Sequence, residues 1–226
     1  YLEKIGANFK ILEKRKMLRT VAKMISKGKA IGWFQGKMEF GPRALGSRSI
    51  LADPRNKLMQ KQLNLKIKFR ESFRPFAPSI LEEESKNWFN LDCKSPYMLV
   101  VSDVKKNKLV EIKSNLNSLS TINQIRSIVP SITHVDNSAR IQTVSRNTNP
   151  IFYELISEFY KVTQTPILIN TSFNIRGEPI VCSPQDAFKC FMGTNLDVLV
   201  IENCVLEKNK QNKNLLRNYK KEFNLD

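Results

Sequence analysis

Four short stretches of this chain place cations, amides and hydroxyls at spacings suited to holding oxyanions. The first is Glu39-Phe40-Gly41-Pro42-Arg43-Ala44-Leu45-Gly46-Ser47-Arg48-Ser49, in which Arg43 and Arg48 flank a glycine turn. Two guanidiniums there can grip phosphate or carboxylate oxygens bidentately, which lysine cannot do. Backbone N–H groups of such a turn can face the same anion. The stretch is neither a Walker A loop, which a Gly-Lys-Ser/Thr would close, nor a dinucleotide Gly-x-Gly-x-x-Gly. The plain alternative is a tight turn whose arginines pair with surface acids.

The second stretch runs from Lys68 through Arg70, Glu71 and Arg74 to Pro75-Phe76-Ala77-Pro78. If residues 67–70 are extended, Lys68 and Arg70 share one face of a strand, with Arg74 following a turn. Three cations within seven residues repel one another unless an anion sits between them. The third stretch is Thr133-His134-Val135-Asp136-Asn137-Ser138-Ala139-Arg140-Ile141-Gln142. Alternation in a straight strand would put His134, Asp136, Ser138, Arg140 and Gln142 on one polar face. A satisfied structural histidine is an equal reading of His134. The fourth is Asn170-Thr171-Ser172-Phe173-Asn174-Ile175-Arg176-Gly177-Glu178-Pro179, which follows an apolar, strand-like run. Loops at the carboxyl ends of strands are where α/β sheets place ligands. Asn170, Ser172 and Asn174 suit a carbamoyl or adenine amide edge, or else close their own turns.

The 226 residues carry a net charge of +16, and residues 36–74 alone hold ten cations against three anions. Polyanionic ligands are implied: nucleotide, pyrophosphate, acyl phosphate or nucleic acid. A Lys-rich surface explains the scattered lysines of 104–113 and 207–221, but not the arginines framed by Gly and Pro. The cysteines Cys93, Cys182, Cys190 and Cys204 form no Cys-x-x-Cys pair, and His134 is the sole histidine. No zinc site and no histidine triad is expected. Free thiols in a reducing cytoplasm are expected instead. No apolar run approaches the ~20 residues of a membrane span. The chain opens on Tyr1 rather than Met, which points to a fragment or a processed chain.

These residues must be positioned by alternating elements. The spacing predicts helices over 9–28, from Asp53-Pro54 through Leu65, over 82–89, 149–162 and 184–192. It predicts strands over 30–35, 76–81, 97–104, 134–144, 166–170 and 197–201. The polar stretch 105–130 reads as an insertion or a hairpin with a mobile tip, and the chain from Lys208 onward as a frayed helix or disorder. The sum is an α/β domain with a twisted sheet.

Taken together and in this order, the four stretches resemble the C-terminal domain of the NodU/CmcH family of O-carbamoyltransferases, from about Val21 to Glu202. The pattern departs at Asn137, where the family pattern has glycine; Asn tolerates the left-handed conformation. The resemblance implies a YrdC-like α/β fold with a twisted mixed β-sheet flanked by helices. It implies that residues 1–206 form this domain, with 1–20 as inter-domain linker and first helix and 207–226 as a basic tail. An N-terminal ASKHA-type transferase domain, with iron or another metal, is absent from this sequence. In the family the C-terminal part binds ATP, with Mg²⁺ carried by the nucleotide, and carbamoyl phosphate. It forms carbamoyl adenylate for transfer to a hydroxyl acceptor in the other domain. Carried over by position, Lys68, Arg43 and Arg74 would be catalytic. Arg48, Arg70, His134, Asp136, Arg140, Asn170, Ser172 and Asn174 would join them in binding substrate and nucleotide, and no residue would bind metal. The expected partners are ATP, carbamoyl phosphate, the N-terminal domain and a second copy in a homodimer, and neither membrane nor nucleic acid. Two other readings remain: a basic RNA-binding module of YrdC type, and a non-catalytic domain that shapes its partner's site.

Overall fold

The computed structural model describes residues 1–111 and 124–217. Nine strands form one mixed sheet. In chain order they are β1 (Lys10–Ile11), β2 (Ile31–Phe34), β3 (Arg48–Ala52), β4 (Ala77–Leu81), β5 (Val100–Asp103), β6 (Ser138–Val144), β7 (Ile167–Ser172), β8 (Val198–Ile201) and β9 (Cys204–Glu207). The spatial order is β1-β9-β8-β2-β3-β7-β4-β6-β5. β2 runs parallel to β8 and β4 parallel to β6, and the other pairs are antiparallel. Helices α1 (Lys14–Ser26), α2 (Met59–Leu63), α3 (Ser85–Trp88), α4 (Pro150–Thr163) and α5 (Pro184–Gly193) flank it. This is the mixed, helix-flanked α/β sheet expected from the sequence.

Register divides one face of the sheet into two zones. Ile31, Trp33, Leu51, Leu81, Val144, Leu168, Val198 and Val200 pack against the apolar stripes of α1 and α4. Beyond the helices the same face turns polar: Ser49 lies opposite Ser172, and Ala77 opposite Asn170. Ser79 lies opposite Gln142, and Val101 opposite Arg140. The other face buries Ile50, Ala52, Ile80, Ile141, Ile167 and Ile169 against α2 and α5. A two-sided apolar core over the middle of the sheet leaves one end free to be polar.

Several predicted boundaries moved. The first helix spans 14–26, because Glu13 caps it by accepting from Arg15 N and Lys16 N. Residues 10–11 instead join β9 at the sheet edge. Asp53-Pro54 starts no helix: Asp53 turns on Arg55, and α2 begins only at Met59. Residues 67–70 are not extended. α2 runs into a π-helical turn, Asn64–Lys68, closed by left-handed Phe69 with φ 50°. The third stretch is a strand only from Ser138 on. His134–Asn137 form a turn in which Asp136 accepts from Ser138 N and Oγ, and Asn137 has φ 66°. As far as residue 217 the chain after Glu207 forms two short 3-10 turns, Lys208–Lys210 and Lys213–Leu215, largely exposed but anchored at Lys208 and Gln211. Lys208 Nζ donates to Phe191 O and Thr194 O, and Gln211 binds both Asn8 O and Asn8 N. For the 105–130 expectation, Leu109 bridges Ser127 at the base of the stretch, and residues 112–123 lie outside the described residues. Residues 218–226 lie outside them too.

The loop that roofs the polar zone depends on Gly46. Its φ is 107°, and a Cβ there would stand 2.2 Å from Phe152 Cδ1 in the core. Gly46→Ala combines backbone strain with a clash against a buried ring, so a loss of about 3 kcal/mol or more is expected in urea unfolding. A loss under 0.5 kcal/mol would show that the loop does not sit on α4.

Candidate functional site

The polar zone is capped by residues 39–47, and that loop is tied down from within. Glu39 Oε1 accepts from Leu45 N and Ser47 N at 2.7 Å and Arg48 N at 3.2 Å. The backbone N–H cluster foreseen for a ligand therefore holds the chain's own carboxylate. Two side-chain amides and a hydroxyl complete the attachment. Gln142 Nε2 donates to Leu45 O at 2.9 Å, and Asn170 Nδ2 donates to Ala44 O at 3.0 Å and to Gln142 Oε1 at 2.9 Å. Ser79 Oγ donates to Gln142 Oε1 at 2.5 Å.

Under this roof is a cavity of about 160 Å³ lined by Arg43, Arg70, Arg140, Asn170, Thr171 and Ser172, with Pro42, Pro75, Phe76 and Met98 among its walls. No carboxylate lines it. Among the described residues, none of the three arginines forms an ion pair. Arg70 Nε donates to Asn64 Oδ1 at 2.7 Å, and its guanidinium lies 5.0 Å from the Phe76 ring centroid. Burial and then the Arg74 charge push its pKa down to about 10. Burial and then Arg43 lower that of Arg140. Arg43 thus disfavours the charge on Arg140, and Arg74, opposed by Glu71, that on Arg70, which an entering anion would reverse.

Lys68 adjoins this cavity through Ser172. Its Nζ is ringed by four oxygens: Ser172 O at 2.6 Å, Ser172 Oγ at 3.1 Å, Asn174 O at 2.9 Å and Asn174 Oδ1 at 2.7 Å. An ammonium has three donors, so here the lysine fastens the Ser172–Asn174 loop. Burial, reinforced by Arg70, pushes its pKa down to about 7. Arg74 is not among the residues that line the cavity; it is half exposed, 3.9 Å from Glu71 Oε2.

The remaining predicted residues lie elsewhere. Arg48 does not flank the cavity. It is buried with its guanidinium 3.5 Å above the Phe34 ring, donating to Gln35 O, Ser47 O and Gly36 O. Those bonds make it a post for the loop, because β3 directs it away from the polar zone. His134 and Asp136 do not share a face with Arg140, since the turn at Asn137 precedes the strand. They line a second cavity of about 680 Å³, with Leu58, Lys57, Lys61, Phe73 and Arg126. Pro75 belongs to both cavities. Burial lowers the His134 pKa, although Asp136 opposes this. Gln142, Ser79 and Glu39 were missing from the predicted site. The alternation that singled out Arg140 already places Gln142 beside it, and Ser79 is the one hydroxyl in an apolar strand. Among the described residues no group of three or more His, Cys, Asp or Glu side chains could hold a metal. None of the helices described is long and apolar enough to cross a membrane.

Solved structures share this fold. P. abyssi Sua5 complexed with L-threonine matches with a TM-score of 0.57 and 16% identity, over 86% of this chain and 48% of that one. Full-length HypF in a phosphate- and nucleotide-bound form matches with a TM-score of 0.51 and 17% identity, over 88% and 22%. The fold is YrdC-like. Residues 22–208 match the carbamoyltransferase C-terminus family, and the chain belongs to it. An uncharacterized protein of Synechocystis is 54% identical over 91% of this chain, and nodulation protein NolNO of Sinorhizobium fredii is 45% identical over 83%. Nodulation protein U of Rhizobium tropici is 35% identical over 76%. The chain spans 34%, 25% and 27% of these three relatives' lengths. It is the C-terminal domain of a carbamoyltransferase-family protein.

Two measurements test this geometry. Arg48→Met should lower stability by about 2 kcal/mol or more through lost buried charge-assisted hydrogen bonds, with phosphate-induced thermal stabilisation retained. Arg140→Met should do the reverse. Titration of the Lys68 ¹³Cε resonance should show a midpoint near 7 rather than 10.5. Between those values the folded chain binds fewer protons than the unfolded one, so this residue's contribution to stability rises with pH across that window. A midpoint near 10.5 would mean that the four oxygens outweigh burial.

Proposed function

We propose that this domain binds Mg-ATP and carbamoyl phosphate and forms carbamoyl adenylate, which a domain outside this chain passes to a hydroxyl acceptor. The observation that carries the reading is the cavity lined by Arg43, Arg70 and Arg140 with no carboxylate in its wall. Its size suits a small phosphorylated group, and the adjoining 680 Å³ cavity, part apolar and bearing His134, suits a nucleoside. The chemistry balances as follows. Water releases carbamate from carbamoyl phosphate, with inorganic phosphate leaving. A carbamate oxygen then bonds to the α-phosphorus while the bond to the β-phosphate oxygen breaks and pyrophosphate departs.

Such a step asks the protein for positioning and for cations around developing charge. Arg43, Arg70 and Arg140 would hold the phosphoryl oxygens. Lys68 would keep Ser172 and Asn174 in place at the cavity floor. The nucleotide would bring its Mg²⁺, since the small cavity's wall offers no carboxylate. ATP as substrate and unpaired thiols fit a cytoplasmic setting.

Calorimetry with Mg-ATP should register binding, weakened about 10- to 100-fold by Arg140→Ala through loss of charge-assisted hydrogen bonds. Exchange of labelled pyrophosphate into ATP should require carbamoyl phosphate. A folded chain with no nucleotide affinity would contradict the reading.

A further inference from the structure

Asn64 does not line the arginine cavity, but it holds a residue that does. It is 0% exposed and opens the π turn that carries Lys68. Its Oδ1 accepts from Arg70 Nε at 2.7 Å, and its Nδ2 donates to Ser72 O at 3.0 Å and to Arg74 O at 2.8 Å. We propose that Asn64 is the positioning residue for Arg70: it fixes the guanidinium of that cavity-lining arginine without cancelling its charge. The inference rests on the reading of the cavity as a site for phosphoryl oxygens.

The π turn makes this contact possible. Phe69 N–H and Arg70 N–H both donate to Asn64 O, the second at 3.0 Å. Left-handed Phe69 turns the chain back, so that Arg70 comes alongside Asn64. The amide cannot turn over. A flipped Asn64 would set Nδ2 against Arg70 Nε, donor against donor, and Oδ1 against two carbonyls, neither of which can donate. Phe76 supplies the second restraint, with its buried ring centroid 5.0 Å from the guanidinium carbon. Among the described residues, Nε is the one nitrogen of this guanidinium that donates to the protein. The Nη hydrogens remain for a ligand.

The use of an amide rather than a carboxylate is what the proposal turns on. An aspartate at 64 could accept from Nε equally well, but it would pair with the charge that an anion needs. It would also set an oxygen against the carbonyls of Ser72 and Arg74. A neutral acceptor orients Arg70 and leaves its charge whole. A cation held in place beforehand loses less freedom when its ligand arrives, and so binds it more tightly. Gln60, one helical turn before Asn64, separates orientation from plain anchoring. Its Nε2 donates to Phe73 O at 2.8 Å and to Arg74 O at 3.2 Å. It ties down the same loop, with no hydrogen bond to Arg70 among the described residues.

The test reads sulfate binding by calorimetry. Sulfate is a dianion throughout the neutral range, and Gln60 lines only the larger cavity. This chain is compared with Asn64→Ala, Asn64→Asp, Gln60→Ala and Arg70→Lys, each checked for folding by circular dichroism. Both Asn64 variants are expected to lose about tenfold in affinity, the worth of one charge-assisted hydrogen bond. Arg70→Lys, which keeps the charge but not the fork, is expected to lose about as much, and Gln60→Ala to stay close to wild type. Asn64→Ala added to Arg70→Lys is expected to lose nothing further, because Asn64 acts through Arg70. In wild type the Arg70 Nε–H resonance should exchange slowly with water. An equal loss in Gln60→Ala and Asn64→Ala would overturn the proposal, since Asn64 would then be a loop anchor. Additive losses in the double variant would overturn it too. If neither Asn64 variant folds, Arg70→Lys and the resonance decide: wild-type affinity in the first, or fast exchange in the second, would overturn it. Failure of wild type to bind sulfate would instead remove the site reading on which the inference rests.

Discussion

Arg43, Arg70 and Arg140 come from three separate segments, and the fold brings them to one cavity with no carboxylate in its wall. Two unit charges about 8 Å apart cost about 2 kcal/mol at an effective dielectric constant near 20. Arg70 and Arg140 are also depressed by burial. Only a rigid frame keeps such a group from splaying apart. The sheet supplies it, through apolar packing over the middle of both faces and a polar end zone held by its own hydrogen bonds.

That end zone works as a seam. Asn170, Gln142 and Ser79 lie on three adjacent strands, β7, β6 and β4, and join side chain to side chain across them. Two of them reach up to the carbonyls of Ala44 and Leu45. Glu39 closes the loop from the other side, and Gly46 lets it lie against Phe152. Lys68 does for the Ser172–Asn174 loop what Glu39 does for residues 45–48. Each uses one polar side-chain terminus to gather several backbone or side-chain groups. A rigid, prefilled surround of this kind is what lets the remaining unfilled groups select a ligand.

The meeting of Arg43, Arg70 and Arg140 at one cavity was legible in part because arginines framed by Gly and Pro have few other uses, and β2, β4, β7 and β8 because their apolar runs stand out, whereas β1, β3 and β9 were not read from the sequence. The π turn at Asn64–Lys68 was not legible: its residues suit an extended strand equally well, and only the left-handed Phe69 reveals the tighter path. Arg48 was misplaced for a related reason. The spacing of two arginines about a glycine turn does not tell which face β3 will present, and a one-residue change of register exchanges ligand contact for burial under Phe34. His134 was separated from Arg140 by a single turn whose Asn137 was noted for its left-handed tolerance but not given that consequence. The loop-closing role of Glu39 carried no sequence signal apart from its place before the loop.

The chain covers 25–34% of the lengths of the NolNO and Synechocystis relatives, and acceptor choice is assigned here to a part outside it. The central claim concerns the cavity alone. A crystal structure with a non-hydrolysable ATP analogue, Mg²⁺ and carbamoyl phosphate tests it most directly. The account predicts phosphoryl oxygens between Arg43, Arg70 and Arg140, and the nucleoside in the cavity beside Pro75. Ligand density confined to another face, with the three arginines unoccupied, would contradict it.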